Sequence, residues 1–179
     1  ALAEYLANGD VNDEALFVNQ SSDTLEFTLY LDNSVLTKAS LGSSTPSETV
    51  GSLDTLDGMC TVVEGVSHAV CLLWHAHHDR QLRPLDLELQ AEIDKYLVLM
   101  GTLSNTSERS ELHRRLFEQI RYIAPEGSEL HERYRTANDS AASYCTWLTS
   151  TFVNQPDPGG LSSELARFYR LSGSAKFQH

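Results

Sequence analysis

The sequence predicts an α+β chain, mainly α, in which an N-terminal β-hairpin (a small antiparallel sheet) packs on a bundle of four to five helices. Three observations lead there. Leu25, Phe27 and Leu29 alternate with Glu26, Thr28 and Tyr30, the period-two pattern of a half-buried strand. From Pro84 onward apolar residues recur instead every three or four positions, the helical period. The breaks between these runs are short, so the 179 residues read as a single domain. A chain of this length buries roughly 70% of its unfolded surface and needs neither disulfide nor metal to hold a core.

The elements follow in order. Residues 2–7 suit a short helix or an extended arm. The runs Ala15–Val18 and Thr24–Leu31 flank the polar Asn19–Asp23, which predicts a hairpin within residues 1–41. Residues 42–52, rich in Ser, Thr, Gly and Pro, predict an exposed loop, and 53–179 form the helical part. Leu53–His78 reads two ways: Thr61-Val-Val as a strand turning at Gly65, or one helix running to Asp79. Pro84 opens a helix over 84–100 with Leu85, Leu89, Ile93, Tyr96 and Met100 near one face. A helix over 107–123 carries Leu112, Leu116, Ile120 and Ile123, with Glu111 placed four residues before Arg115 as a surface pair. Residues 128–153 hold the longest stripe, Leu130, Tyr134, Ala137, Ala141, Tyr144, Leu148 and Phe152, expected to serve an internal core or a homodimer seam. After Asn154–Gly160 a last helix turns Leu161, Leu165, Phe168 and Tyr169 inward.

Charge is unevenly spread. The net charge is −12; residues 1–79 hold twelve acids and one base, Lys38, whereas 80–179 hold thirteen acids and twelve bases. An acidic front half repels phosphate backbones and anionic headgroups, so neither nucleic acid nor membrane is an expected partner, and a protein with a basic surface is. No uninterrupted apolar run reaches the roughly 20 residues that span a bilayer. No basic region precedes an apolar stretch at the N-terminus, so no signal peptide is expected. Cys60, Cys71 and Cys145 are odd in number, widely spaced and set among apolar neighbours, which suits buried thiols in a reducing cytoplasm.

The chemistry-bearing stretch is Glu64 to Asp79, with four of the seven histidines. On a helix, Glu64, His68, His75 and Asp79 share one face, a polar stripe beside Val66, Val70, Leu73 and Trp74. The next helix carries Glu88 and Glu92 one turn apart, and antiparallel packing would bring Glu92 toward His68. Glu and His projected between helices is how bundles hold a divalent metal, and imidazole with carboxylate suits Zn, Fe or Mn. The candidate metal ligands are therefore Glu64, His68, His75 and Glu92. The competing assignment pairs Glu64 with His68 by hydrogen bonding inside the bundle and leaves His75–Asp79 as a solvated helix end.

Gly65-Val-Ser67-His68-Ala69 also resembles the G-x-S-x-G nucleophile elbow with Ala in the last place, for which Asp94 and His113 would have to complete a triad. The helices' Arg residues interleave with Glu, which predicts a salt-bridged outer face rather than an anion patch. No phosphate-binding glycine motif is present. The functional expectation is a binding or regulatory module with an acidic N-terminal face and no cofactor. The alternative is a metal-dependent, hydrolase-like enzyme with a Glu/His site between helices 64–79 and 84–100.

Overall fold

The computed structural model describes residues 3–6, 13–21, 24–41, 52–103, 105–122, 124–154 and 156–177. Three antiparallel strands, β1 (Ala3–Leu6), β2 (Glu14–Gln20) and β3 (Leu25–Leu31), lie in the order β1-β2-β3. Six α-helices follow: α1 (Asn33–Leu41), α2 (Leu53–His77), α3 (Pro84–Thr102), α4 (Thr106–Phe117), α5 (Glu129–Leu148) and α6 (Pro158–Arg170). A π-helical turn, Thr149–Val153, extends α5, and a 3₁₀ turn, Gly173–Phe177, follows α6. The chain is thus α+β and mainly α, with six helices among the described residues where four to five were expected.

The hairpin pairs Leu16 with Leu29 and Val18 with Phe27, so the alternating apolar residues of both strands share one face. That face packs on α2. Residues 3–6, ambiguous in sequence, form a strand on the outer side of β2. Helix α1 falls inside the region assigned to the hairpin and was not anticipated. Asp32 caps it, its Oδ1 accepting from the Ser34 N–H at 2.7 Å, and Val35 is its buried anchor. The predicted loop 42–52 lies outside the described residues except for Ser52, whose hydroxyl accepts from the Thr55 N–H and caps α2.

Leu53–His77 is one helix, and the strand reading of Thr61–Val63 is wrong. Its ending explains its length. Asp79 adopts φ 50°, and Arg80 N–H donates to the His75 carbonyl at 2.9 Å, which closes the last turn. The apolar side chains of α2 point opposite to the simplest expectation. Val66, Val70 and Leu73 are 47%, 52% and 53% exposed, while Ser67, His68, Cys71 and His75 are buried. By length and composition α2 could cross a membrane, a test that core helices also pass; 33% of its most apolar window is buried.

Two glycines let neighbours approach α2. A Cβ on Gly58 would stand 2.6 Å from Lys38 Cβ and 2.8 Å from the Ala39 nitrogen, where α1 crosses. A Cβ on Gly65 would stand 2.9 Å from Glu14 Oε1 and 3.0 Å from Leu29 Cδ1, where the sheet crosses.

The main core lies among α3, α4, α5 and α6. Leu89, Ile93, Tyr96 and Leu99 of α3 meet Leu112 of α4, Ala137, Ala141, Tyr144 and Leu148 of α5, and Phe168 of α6. Ala137, Ala141, Tyr144 and Leu148 of the α5 stripe are therefore internal core, with Phe152 packed against them, whereas Leu130 and Tyr134 are half-buried. Helix α4 stops at Phe117 rather than 123, because Asn138 Nδ2 donates to the Phe117 carbonyl at 3.1 Å and the chain turns away. Ile120 lies beyond the helix, and Ile123 lies outside the described residues. The expected surface pair forms, with Arg115 Nε 2.7 Å from Glu111 Oε1. Cys71 and Cys145 are buried free thiols, and Cys60 is partly buried.

Candidate metal centre

Three elements meet over the middle of α2. The inward face of β2 begins with Glu14, two residues before Leu16, so strand alternation aims its carboxylate at α2. Gly65 leaves room for it. One turn apart on α2, Glu64 and His68 face the sheet and α3. Glu88 projects from α3 toward His68.

His68 is 2% exposed. Its Nδ1 lies 3.7 Å from Glu14 Oε1, and its Nε2 lies 3.8 Å from Glu88 Oε2. Neither ring nitrogen has a hydrogen-bond partner among the described residues, nor does Glu88 Oε1, which stands 3.5 Å from Arg133 Nε. One ligand atom each from Glu14, Glu64 and His68 lies within 4.8 Å of the others. Beside them Lys95 Nζ donates to Glu64 at 3.1 Å and to Glu92 at 2.8 Å. A cavity of about 500 Å³ opens against this network, its wall including Glu64, Glu88, Glu92, Arg121, Tyr122 and Tyr134.

The electrostatics are those of a buried, acid-rich pocket. Burial pushes the Glu88 carboxyl up to about 7, reinforced by the Glu64 charge and opposed by His68 and Arg133. Burial also opposes the His68 imidazolium, but contact with Glu14 and the charges of Glu64 and Glu88 outweigh it and raise its pKa. For Glu64, burial is outweighed by Lys95 and His68, so its carboxyl titrates below the usual range. Burial disfavours the Lys95 ammonium too, yet Glu64 and Glu92 hold it charged well above the usual lysine range.

Of the four ligands expected from sequence, the structure brings Glu64 and His68 together. His75 stands two turns further along α2, its Nδ1 2.9 Å from the Cys71 carbonyl, away from the carboxylates. Glu92 is held by Lys95. The antiparallel register opposes Glu88, not Glu92, to His68, one turn off the expected alignment. Asp79 lies past the end of α2. Glu14 was missed, although the alternation Glu14, Leu16, Val18 marks it as the one acid on an otherwise apolar inward row. The elbow reading fails: residues 65–69 are mid-helix with no strand before them, and Ser67 Oγ donates to Asp94 Oδ2 at 2.6 Å. His113 sits elsewhere, on α4.

No family model, curated protein or solved structure matches this chain.

Proposed function

We propose that this protein binds a divalent transition metal through Glu14, Glu64 and His68, with Glu88 at the opposite edge of the imidazole, and that its function is metal-dependent. The observation that carries the reading is the pair of gaps around His68. A buried imidazole normally finds hydrogen-bond partners for its nitrogens. Here each nitrogen faces a carboxylate at 3.7 or 3.8 Å, too far for a hydrogen bond. Two donors about 2.1 Å from one ion stand about 3.0–3.6 Å apart over bond angles of about 90–120°, so a small closure of Glu14 on Nδ1 makes a coordination site.

Two carboxylates and an imidazole suit Zn, Mn or Fe. A bound ion of this kind acidifies its water and polarises carbonyl or phosphoryl oxygens. The chain's own part is to hold Glu64 through Lys95, to exclude water from His68, and to leave a cavity where a substrate could reach the Glu64 and Glu88 edge. This favours a hydrolase-like enzyme over the adaptor reading, for which charge balance is the sole support.

The test is metal content per chain in protein purified without a histidine tag, with and without reloading by Zn²⁺, Mn²⁺ or Co²⁺. About one equivalent is expected. It should be lost in His68→Gln and Glu14→Gln and kept in His75→Gln, and a chelator should lower the melting temperature of the loaded protein. Metal-free protein that none of these ions loads or thermally stabilises, or equal loading of His68→Gln, overturns the proposal.

A further inference from the structure

A second cavity, of about 420 Å³, lies between the start of α4 and the end of α5, and no residue of the candidate metal centre lines it. Its wall includes Tyr96, Arg109, His113, Thr146, Thr149 and Ser150. Three features distinguish it from an ordinary surface cleft. First, Arg109 is fixed but not saturated. Its Nη2 donates to the Leu103 carbonyl at 3.1 Å, while its Nε is buried with no hydrogen-bond partner among the described residues. A buried guanidinium donor without an acceptor is costly, and an oxyanion is the group whose geometry it fits.

Second, the wall on the α5 side is the π-helical turn Thr149–Val153. Such turns are rare and frequent at functional sites, because the widened register redirects the side chains that follow. Here Thr149 is tied to the Tyr96 hydroxyl at 2.8 Å. Third, the acid excess of the whole chain is absent here: one guanidinium, Arg109, stands against one carboxylate, Glu118. In a protein of net charge −12 this cavity gathers a guanidinium, an imidazole and several hydroxyls. Its one acid, Glu118, has a side chain 63% exposed and leans 3.8 Å from His113 Nδ1. The imidazole is itself positioned by Thr146, whose Oγ1 lies 3.0 Å from Nε2.

We propose that this cavity is a binding site for a small organic anion, whose phosphate or carboxylate group is held by the Arg109 guanidinium and the exposed Thr106 and Ser110 hydroxyls while its body lies against His113. The volume suits a metabolite-sized ligand rather than a polymer. The site stands independently of the metal centre and survives that reading's failure.

The test is amide chemical-shift mapping of isotopically labelled full-length protein titrated with inorganic phosphate and, separately, with succinate, in chloride buffer. Saturable shifts at residues 96, 106–113 and 146–154 are expected with one or both anions. Saturation by phosphate alone assigns a phosphorylated ligand, and by succinate alone a carboxylate. Arg109→Gln should weaken binding at least ten-fold. Ser110 lines the cavity but is solvent-exposed, so Ser110→Glu should fold normally and abolish binding by like charge even if Arg109→Gln fails to fold. No saturable shift with either anion up to tens of millimolar, or wild-type affinity in folded Ser110→Glu, overturns the proposal.

Discussion

Replacing Gly65 with alanine adds one methyl group where the sheet crosses α2. The new Cβ would meet Glu14 Oε1 at 2.9 Å, Glu14 Cδ at 3.0 Å and Leu29 Cδ1 at 3.0 Å. All three are ends of side chains that can swing aside. Overpacking costs about 1–3 kcal/mol when a core cannot yield, and less here. Alanine in place of glycine within a helix returns about 1 kcal/mol. The two nearly cancel, so Gly65→Ala should melt within about 2–4 °C of wild type. Metal binding should suffer, because the atom pushed away is the Glu14 oxygen facing His68. We expect at least a ten-fold loss of affinity.

Gly58→Ala is the counterpart. There the added methyl meets Lys38 Cβ at 2.6 Å, the Ala39 backbone nitrogen at 2.8 Å and the Val35 carbonyl at 3.1 Å. These atoms move only if α1 moves, so we expect a net loss of about 1–2 kcal/mol with metal affinity retained. Gly101, where an added methyl would meet nothing within 4 Å, gives the reference: alanine there should stabilise by up to about 1 kcal/mol. Urea unfolding followed by circular dichroism gives the stabilities, and calorimetric titration with Zn²⁺ gives the affinities. Wild-type affinity in Gly65→Ala would remove Glu14 from the ligand set. A Gly58→Ala protein as stable as Gly101→Ala would refute the close crossing of α1 over α2.

Other expectations follow from single features. Asp79 holds φ 50° at the end of α2, so Asp79→Gly should raise the urea midpoint by up to about 1 kcal/mol equivalent. Leu112 is fully buried among α3, α4 and α5, and Leu112→Ala should cost about 2–5 kcal/mol in the same assay. Lys176 is buried, its Nζ 3.2 Å from Gln90 Oε1, and burial lowers its pKa below the usual lysine value. The unfolded chain therefore holds the proton more tightly, and stability should rise with pH between the folded pKa and the unfolded value of about 10.4. Lys176→Met should flatten that rise, and identical urea midpoint profiles against pH in the two proteins would contradict it.

Much of this fold was legible because period and burial agree. The alternation in β3 and the α5 stripe each put an apolar residue wherever the chain turns inward. Helix α2 breaks the agreement. Helical geometry groups Glu64, His68 and His75 on one side, as they are, but hydrophobicity alone would bury Val66, Val70 and Leu73 instead. The polar side wins because Asp94 accepts from Ser67, the Cys71 carbonyl bonds His75 and Lys95 pairs Glu64, while Glu14 and Glu88 flank His68 with charge alone, and no periodicity reveals groups on other elements. The choice between Glu88 and Glu92 has the same root: it depends on the register of two helices, set by the αL turn at Asp79. The π-helical turn after Leu148 carries no sequence mark at all, and in the nine residues of α1 the weak helix formers Asn33, Ser34, Val35, Thr37 and Ser40 outnumber Leu36, Lys38, Ala39 and Leu41.

The interior around His68 also poses an energetic question that a variant can answer. Glu64 and Glu92 pair with Lys95, Glu88 lies between Arg133 and His68, and Glu14 faces His68, so four acids meet two permanent cations and one imidazole. Carboxylates without matching charge are costly inside a protein, and a network of this kind is weak as a source of stability. If it exists for an ion, removing it whole should do the metal-free fold no harm. The triple variant Glu14→Leu, His68→Leu, Glu88→Leu leaves Glu64 and Glu92 paired with Lys95 and lets the partly exposed Arg133 reach solvent. It should be as stable as metal-free wild type or more so, by up to about 4 kcal/mol, whereas His68→Leu alone, which leaves two carboxylates facing apolar surface, should lose about 3–5 kcal/mol. Loading with Zn²⁺ should raise the melting temperature of wild type and leave the triple variant unmoved. A triple variant far less stable than metal-free wild type would mean that the Glu–His–Glu arrangement is itself a structural clamp, and the polar face of α2 would then be accounted for without any metal.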